Sequence, residues 1–311
     1  MRPLRAFSLL PLRATPARGC PTIHFAQNPS PHASGGGILL TLALLTAAGP
    51  ARAAIDTVYV DNTKPFPGGP GTSPGNAFAS IKTALDSTGG PDKVIAVIGT
   101  GKDYRDTVAI GSADSGTNGH PFVLFARGDV TISGADTTTQ WFSYDNLWRA
   151  KVVGPREPNQ VYALGARYPA DTSQLALPVQ RCRYRSAGDS VYINTGGPDP
   201  RTQVAYISQD NGVIKLTNTS YVQVVGFKLR YSNDDGVTGS GWNECIISNC
   251  DARYSWKQGI MFSGATHAVI RDNTCNDNGS HGIYLVDSDS SCVVLRNTAS
   301  GNDDPLLARA E

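Results

Sequence analysis

Glycine followed by an apolar residue recurs at one fixed interval in the second half of the chain. Gly236-Val237, Gly259-Ile260 and Gly282-Ile283 are 23 residues apart. A second register runs beside it: Asn249, Asn273 and Asn297 stand 24 apart, each preceded three residues earlier by Ile246, Ile270 or Val294. A period of this length, built from short β-prone runs and Gly/Asn/Asp turns, belongs to a solenoid in which each repeat buries its apolar face against the next. Helical repeats of similar length need apolar faces at 3.6-residue spacing, and this stretch has none. Asparagine suits a stacked turn because it tolerates left-handed backbone and can hydrogen-bond to an asparagine one repeat away.

Ahead of the repeats the pattern is strand, loop, helix, strand. Thr57–Val60 is a short β run and Lys64–Gly75 a Pro/Gly-rich loop. Asn76 can then cap a helix over 77–87 with Phe78, Ile81 and Leu85 on one face. A one-faced helix at the start of a stack has the task of covering the open end of its core. Val94–Ile98, Thr107–Ile110, Phe122–Phe125 and Val130–Ile132 read as successive strands, whereas 136–205, with Trp141, Trp148 and many tyrosines, reads as an irregular excursion from the stack. The expected fold class is therefore all-β, a parallel β-helix with an N-terminal capping helix, over residues 54–311.

Residues 1–53 read as a leader. The apolar run from Ile38 to Ala48 is too short to span a bilayer and is followed by Ala51-Arg52-Ala53, a small-x-small site that predicts cleavage after Ala53. Secretion, to the exterior or a periplasm, follows as an expectation, with no membrane span after cleavage. All five basic residues before Ala54 lie in an acid-free stretch, so the remaining chain holds 22 Lys+Arg against 26 Asp+Glu. That balance argues against a nucleic-acid partner. Past the leader, Cys182, Cys245, Cys250, Cys275 and Cys292 form no CxxC pair, which leaves one disulfide or a set of buried thiols open.

The entry Tyr59-Val60-Asp61 with Phe78-Ala79-Ser80-Ile81, and rungs such as Ala268-Val269-Ile270-Arg271-Asp272-Asn273 followed by Gly282-Ile283-Tyr284-Leu285, resemble secreted right-handed parallel β-helix proteins of the pectate-lyase-like superfamily. The resemblance implies a right-handed helix and a polysaccharide partner. It covers most of 55–311 and specifies a fold rather than a reaction. Within that superfamily, the Asn-Thr-Asp and Arg-Ile-Lys motifs of polygalacturonases, the Asp-Pro-His-Asp of epimerases and the Arg-x-Pro-x-x-Arg of the main pectate-lyase family are absent from this sequence. The glycine register would next fall at Pro305, close to the last residue, so the chain reads as one cut within a repeat.

Stacked repeats turn the period into geometry, because residues one period apart lie on adjacent rungs about 4.8 Å apart. Stepping by 23 from Asp234 gives Lys257, Ser280 and Asp303; stepping from Asp235 gives Gln258, His281 and Asp304. One reading makes this a polyuronate-cleaving edge. Asp234 and Asp235 would hold a Ca²⁺ ion, Lys257 would act as the catalytic base with its pKa lowered by the cation, and His281 would assist the leaving group. Calcium- and lysine-dependent lyases of the superfamily are similar in outline. The other reading is a turn sequence, Asn-Asp-Asp-Gly, with solvated neighbours. A polysaccharide lyase, a non-catalytic glycan-binding or surface structural β-helix, and a glycoside hydrolase remain as functional expectations, with oligomeric state open.

Overall fold

The computed structural model describes residues 56–310 apart from 153, 155, 172–176, 186–188, 287–290 and 304–307. The expected leader and its cleavage site lie outside the described residues.

Three parallel sheets wrap around one core. The first contains Asp56–Val60, Lys93–Ile98, Phe122–Arg127, Val222–Val225, Ile246–Ser248, Val269–Arg271 and Val293–Leu295. The second contains Thr131–Ser133, Lys228–Arg230, Asp251–Arg253 and Thr274–Asn276. The third runs through Val108–Ile110, Ile214–Thr217, Val237–Ser240, Ile260–Ser263, Ile283–Val286 and Ala308–Ala310. The 23-residue period is the pairing register itself: Ile214 faces Val237, which faces Ile260, which faces Ile283. These four point inward and are buried, while their neighbours Lys215, Thr238, Met261 and Tyr284 alternate outward. Burying each such apolar side chain stabilises the stack by roughly 1.5–3 kcal/mol.

The capping helix is present but shorter than expected. It spans Ile81–Ser87 and is capped by Ser80, whose hydroxyl accepts the Thr83 N–H. Phe78 instead bridges Val60 in extended backbone, since pairing with the first strand satisfies groups that a free helix end would leave open. Ile81, Ala84 and Leu85 close the end of the core.

The asparagine register holds with a correction of one residue. The Asn297 side-chain oxygen accepts the Asn273 N–H at 2.9 Å, and the Asn273 oxygen accepts the N–H of Cys250, not of Asn249. Asn249 stacks with Asp272 and Arg296 in the left-handed positions of that corner (φ 55°, 58° and 52°). A parallel ladder at the next corner escaped the sequence reading: Asn278 Oδ1 accepts from Ser255 N, and Asn302 Oδ1 from Asn278 N.

The excursion is regular rather than irregular. Between Ala135 and Ser208 the chain builds two four-stranded antiparallel sheets around their own core, which includes Trp141, Ala150, Val191, Ile193 and Cys182. This side module leaves the stack at the corner between the second and third sheets. Its exit and return meet at Gly134, whose carbonyl accepts both the Gln209 N–H (2.8 Å) and the Asp210 N–H (2.9 Å).

Cys182, Cys245, Cys250 and Cys275 are buried thiols rather than a disulfide framework. Burial pushes the Cys250 thiol up to about 11 and the Cys182 thiol to about 12. Trp242 is also core: it stacks on Phe262 with ring centroids 5.1 Å apart, and its indole N–H donates to the Leu216 carbonyl.

Candidate functional site

The corner that releases the side module also carries the predicted column. The backbone confirms the stacking of Asp234, Lys257 and Ser280, since Lys257 N–H donates to the Asp234 carbonyl (3.0 Å) and Ser280 N–H to the Lys257 carbonyl (2.9 Å). Side chains follow. Lys257 Nζ sits 2.8 Å from Asp234 Oδ1 with both groups partly exposed. This contact, a hydrogen bond to the carboxylate reinforced by its charge, pushes the ammonium up from its ordinary value. The expectation of a lysine with a lowered pKa is therefore corrected, because the nearest charge is an anion.

Asp235 turns the other way. It is 2% exposed, and its Oδ1 accepts the Gln258 N–H at 3.1 Å. Burial, with the neighbouring Asp234 charge adding to it, raises its carboxyl to about 6. The two adjacent aspartates thus have separate surroundings, one ion-paired near solvent and one desolvated under the turn.

His281 stands in the Asp235–Gln258 column, with its carbonyl accepting the Gly259 N–H. Its ring stacks on Tyr284 at 4.9 Å, and its Nδ1 lies 2.9 Å from Ser280 Oγ. Asp303 does not stack on Ser280. The first-sheet step from Val269 to Val293 is 24 residues, and with this extra residue Asp303 falls beside Asn278 and pairs with Arg167 of the side module at 2.8 Å. Asp304 lies outside the described residues.

A calcium ion takes roughly six to eight oxygen ligands. Of the two expected ligands, Asp234 is neutralised by Lys257 and Asp235 is engaged beneath the surface. Among the described residues no three His, Cys, Asp or Glu side chains converge. The donor set at Asp234 and Asp235 does not fit a calcium centre.

A wall not expected from the sequence stands beside this column. The side-module strand Gln160–Ala163 is sewn to the corner: Gln160 Nε2 donates to the carbonyls of Ser232 (3.0 Å) and Tyr254 (2.8 Å), and Asn159 N–H to Asn233 Oδ1 (2.6 Å). Tyr206 stacks on Tyr231 at 4.1 Å, and Tyr231 on Tyr254 at 5.4 Å. The 23-residue step from Tyr231 to Tyr254 was the available signal. Two clefts of about 360 and 370 Å³ lie farther out, in the side module; Phe142 and Lys151 line one, Trp148 and Asn194 the other.

Residues 173–308 match the family model described as "Right handed beta helix region". No curated protein matches the chain. Among solved structures it is similar to the complex of XylC with xylose, at 14% identity and a TM-score of 0.60, over 79% of this chain and 59% of that one. It is also similar to a protein described as a glycoside hydrolase, at 10% identity and a TM-score of 0.56, over 78% of this chain and 73% of the other. The chain thus spans about three-fifths of the length of XylC. Together with the sheet topology, these likenesses establish the class: the chain folds as a right-handed parallel β-helix. Among the described residues, no helix is long and apolar enough to cross a membrane.

Proposed function

We propose that the protein is directed to carbohydrate, and that it cleaves a uronate-bearing polysaccharide by β-elimination at the corner of Asp234, Lys257 and His281. The observation that carries this reading is the Lys257–Asp234 pair, a partly exposed cation one rung from His281 on the outer edge of the stack. The β-helix structures it is similar to, a xylose complex and a glycoside hydrolase, support carbohydrate as the ligand class by analogy of fold.

In this reading a uronate carboxylate competes with Asp234 for the Lys257 ammonium. The pairing withdraws charge from the carboxylate and acidifies the α-proton. Lys257, held protonated, is a poor base, so the proton passes to the His281 imidazole. The C4–O bond breaks as the C4–C5 double bond forms, and the departing oxygen takes its proton from water.

A non-catalytic glycan-binding role is the second reading, and the buried Asp235 favours it. Its oxygen serves the Gln258 N–H, which is what a purely structural turn requires.

The test is ultraviolet absorbance of unsaturated products when the protein meets polygalacturonate or alginate, in Ca²⁺ and in chelator. A rise that Lys257→Ala abolishes supports elimination. A flat trace from folded protein that still binds these polymers leaves the binding role; reducing ends without absorbance would mean hydrolysis.

A further inference from the structure

The side module carries a surface that the corner column does not use. One of its sheets consists of Phe142–Tyr144, Leu147–Lys151, Ser190–Asn194 and Arg181–Arg185. Its inner face, with Ala150, Val191, Ile193 and Cys182, is buried in the module's core. The outer face is built from the alternate residues. Cross-strand pairing places Phe142, Arg149, Tyr192 and Arg183 in one row, so aromatic and cation alternate across the sheet; Phe142 is exposed, Arg149 and Arg183 half-buried, and Tyr192 buried beneath its neighbours. Lys151, Arg181 and Arg185 occupy outward positions in the flanking rows and are exposed. No outward position on these four strands carries Asp or Glu.

The aromatic rings hold the cations in place. The Arg149 guanidinium lies 5.9 Å from the Phe142 ring centroid and that of Arg185 5.0 Å from the Tyr192 centroid, while Tyr144 meets Tyr192 edge-on at 5.2 Å. Phe142 is 56% and Tyr144 39% exposed, which is unusual for large rings on a strand. Elsewhere in the module, Arg201 pairs with Asp199 and Arg167 with Asp303. Among the described residues, Arg149, Lys151, Arg181 and Arg185 have no such carboxylate partner. The module holds eight Lys+Arg against six Asp+Glu, in a chain whose other residues after position 53 are net acidic.

We propose that this face binds an acidic, uronate-bearing polysaccharide, rung after rung of the polymer crossing a platform of guanidinium groups and rings. The inference rests on the carbohydrate reading above and adds to it a holding surface separate from the column. Guanidinium forks match planar carboxylates, and the exposed rings offer apolar faces to the sugar. Charge complementarity selects an anionic polymer over a neutral one.

The experiment measures binding of the full chain to polygalacturonate, neutral xylan and single-stranded DNA by titration calorimetry at two salt concentrations. Wild type is expected to bind polygalacturonate in a salt-sensitive manner and to bind xylan far more weakly. The variant Arg149→Gln/Lys151→Gln/Arg185→Gln should lose roughly tenfold or more in affinity, whereas Lys82→Gln, an exposed lysine of the capping helix, keeps it; Lys257→Gln is titrated beside them. Circular dichroism and Tm report on folding. If the triple variant misfolds, the exposed single change Arg185→Gln is read instead, with Arg185→Lys as the conservative control.

Unchanged binding in a folded triple variant overturns the inference and leaves any cleavage activity standing. Binding lost in Lys257→Gln but kept in the triple variant overturns it in favour of the column. DNA bound as tightly as polygalacturonate makes this a nucleic-acid surface and overturns it too. Wild type that binds neither glycan removes both this inference and the carbohydrate reading.

Discussion

Lys257 Nζ and Asp234 Oδ1 are 2.8 Å apart, one rung of the β-helix separating their backbones. The pair ties the charge of one rung to that of the next at the only corner from which the side module departs among the described residues. Lys257 is 53% exposed, so its attraction is screened and contributes only about 0–1 kcal/mol to stability.

Lys257→Ala is therefore expected to leave Tm almost unchanged while lowering polyuronate turnover by roughly 10²-fold or more. Urea unfolding and the absorbance assay, run on the same preparation, separate the two effects. A variant with wild-type turnover would remove Lys257 from the reaction.

Asp235 makes the fold sensitive to pH. Its carboxyl is raised to about 6, so between the unfolded value near 4 and 6 the native state keeps a proton that the unfolded chain has released. Its contribution is thus favourable in acid and is lost as pH climbs through that window. Asp235→Asn should be more stable than wild type at pH 7 by roughly 1–3 kcal/mol, with the gap closing by about pH 4. Denaturant titrations at the two pH values give the answer directly.

Asn278 is fully buried and accepts the Ser255 N–H at 3.0 Å, while its Nδ2 donates to the Ala252 carbonyl at 3.1 Å. Asn278→Ala strands these backbone groups and should cost about 2–4 kcal/mol, from one unsatisfied N–H and a small void. The drop in the urea midpoint, with hydrogen exchange at Ser255, measures it.

Gly279 allows the side module to lie close. A Cβ there would stand 2.0 Å from the Trp256 carbonyl oxygen and 2.3 Å from an Arg167 nitrogen. Gly279→Ala is expected to destabilise by about 1–3 kcal/mol and to loosen the Arg167–Asp303 pair. A fall in Tm larger than that of Asp303→Asn, an exposed partner, would confirm that backbone crowding dominates.

The stack was legible because strands in a parallel solenoid repeat the same physical demand at every rung. Ile214, Val237, Ile260 and Ile283 announce it through spacing alone. The asparagine register was misaligned by one residue because Asn249 and Asn273 occupy different turn positions, one with left-handed backbone and the other with a buried side chain. Asp303 was misplaced because one repeat carries 24 residues instead of 23, which fixed-step arithmetic cannot detect.

The side module was harder for a different reason. Its strands pair antiparallel and out of period, so no spacing signals them. Arg181-Cys182-Arg183-Tyr184-Arg185 nevertheless carries the two-residue alternation of a half-buried strand, and that pattern could have revealed its basic face. The column charges followed from stacking, but their pKa directions did not. Whether Lys257 meets a cation or an aspartate is decided by side-chain placement, which the period leaves open.

Both ends of the side module close on the single carbonyl of Gly134. The chain of residues 135–208 therefore leaves and rejoins the stack at one peptide, then leans on the corner through Gln160 and Tyr206, and the strands on either side, Thr131–Ser133 and Ile214–Thr217, stack as if little intervened. Such a junction is a natural graft point. A lineage could exchange one appended body for another, or lose it, while inheriting the rod unaltered. Recognition would then evolve by substitution of whole parts, with the edge of the rod that carries Asp234 and Lys257 left beside whatever is attached.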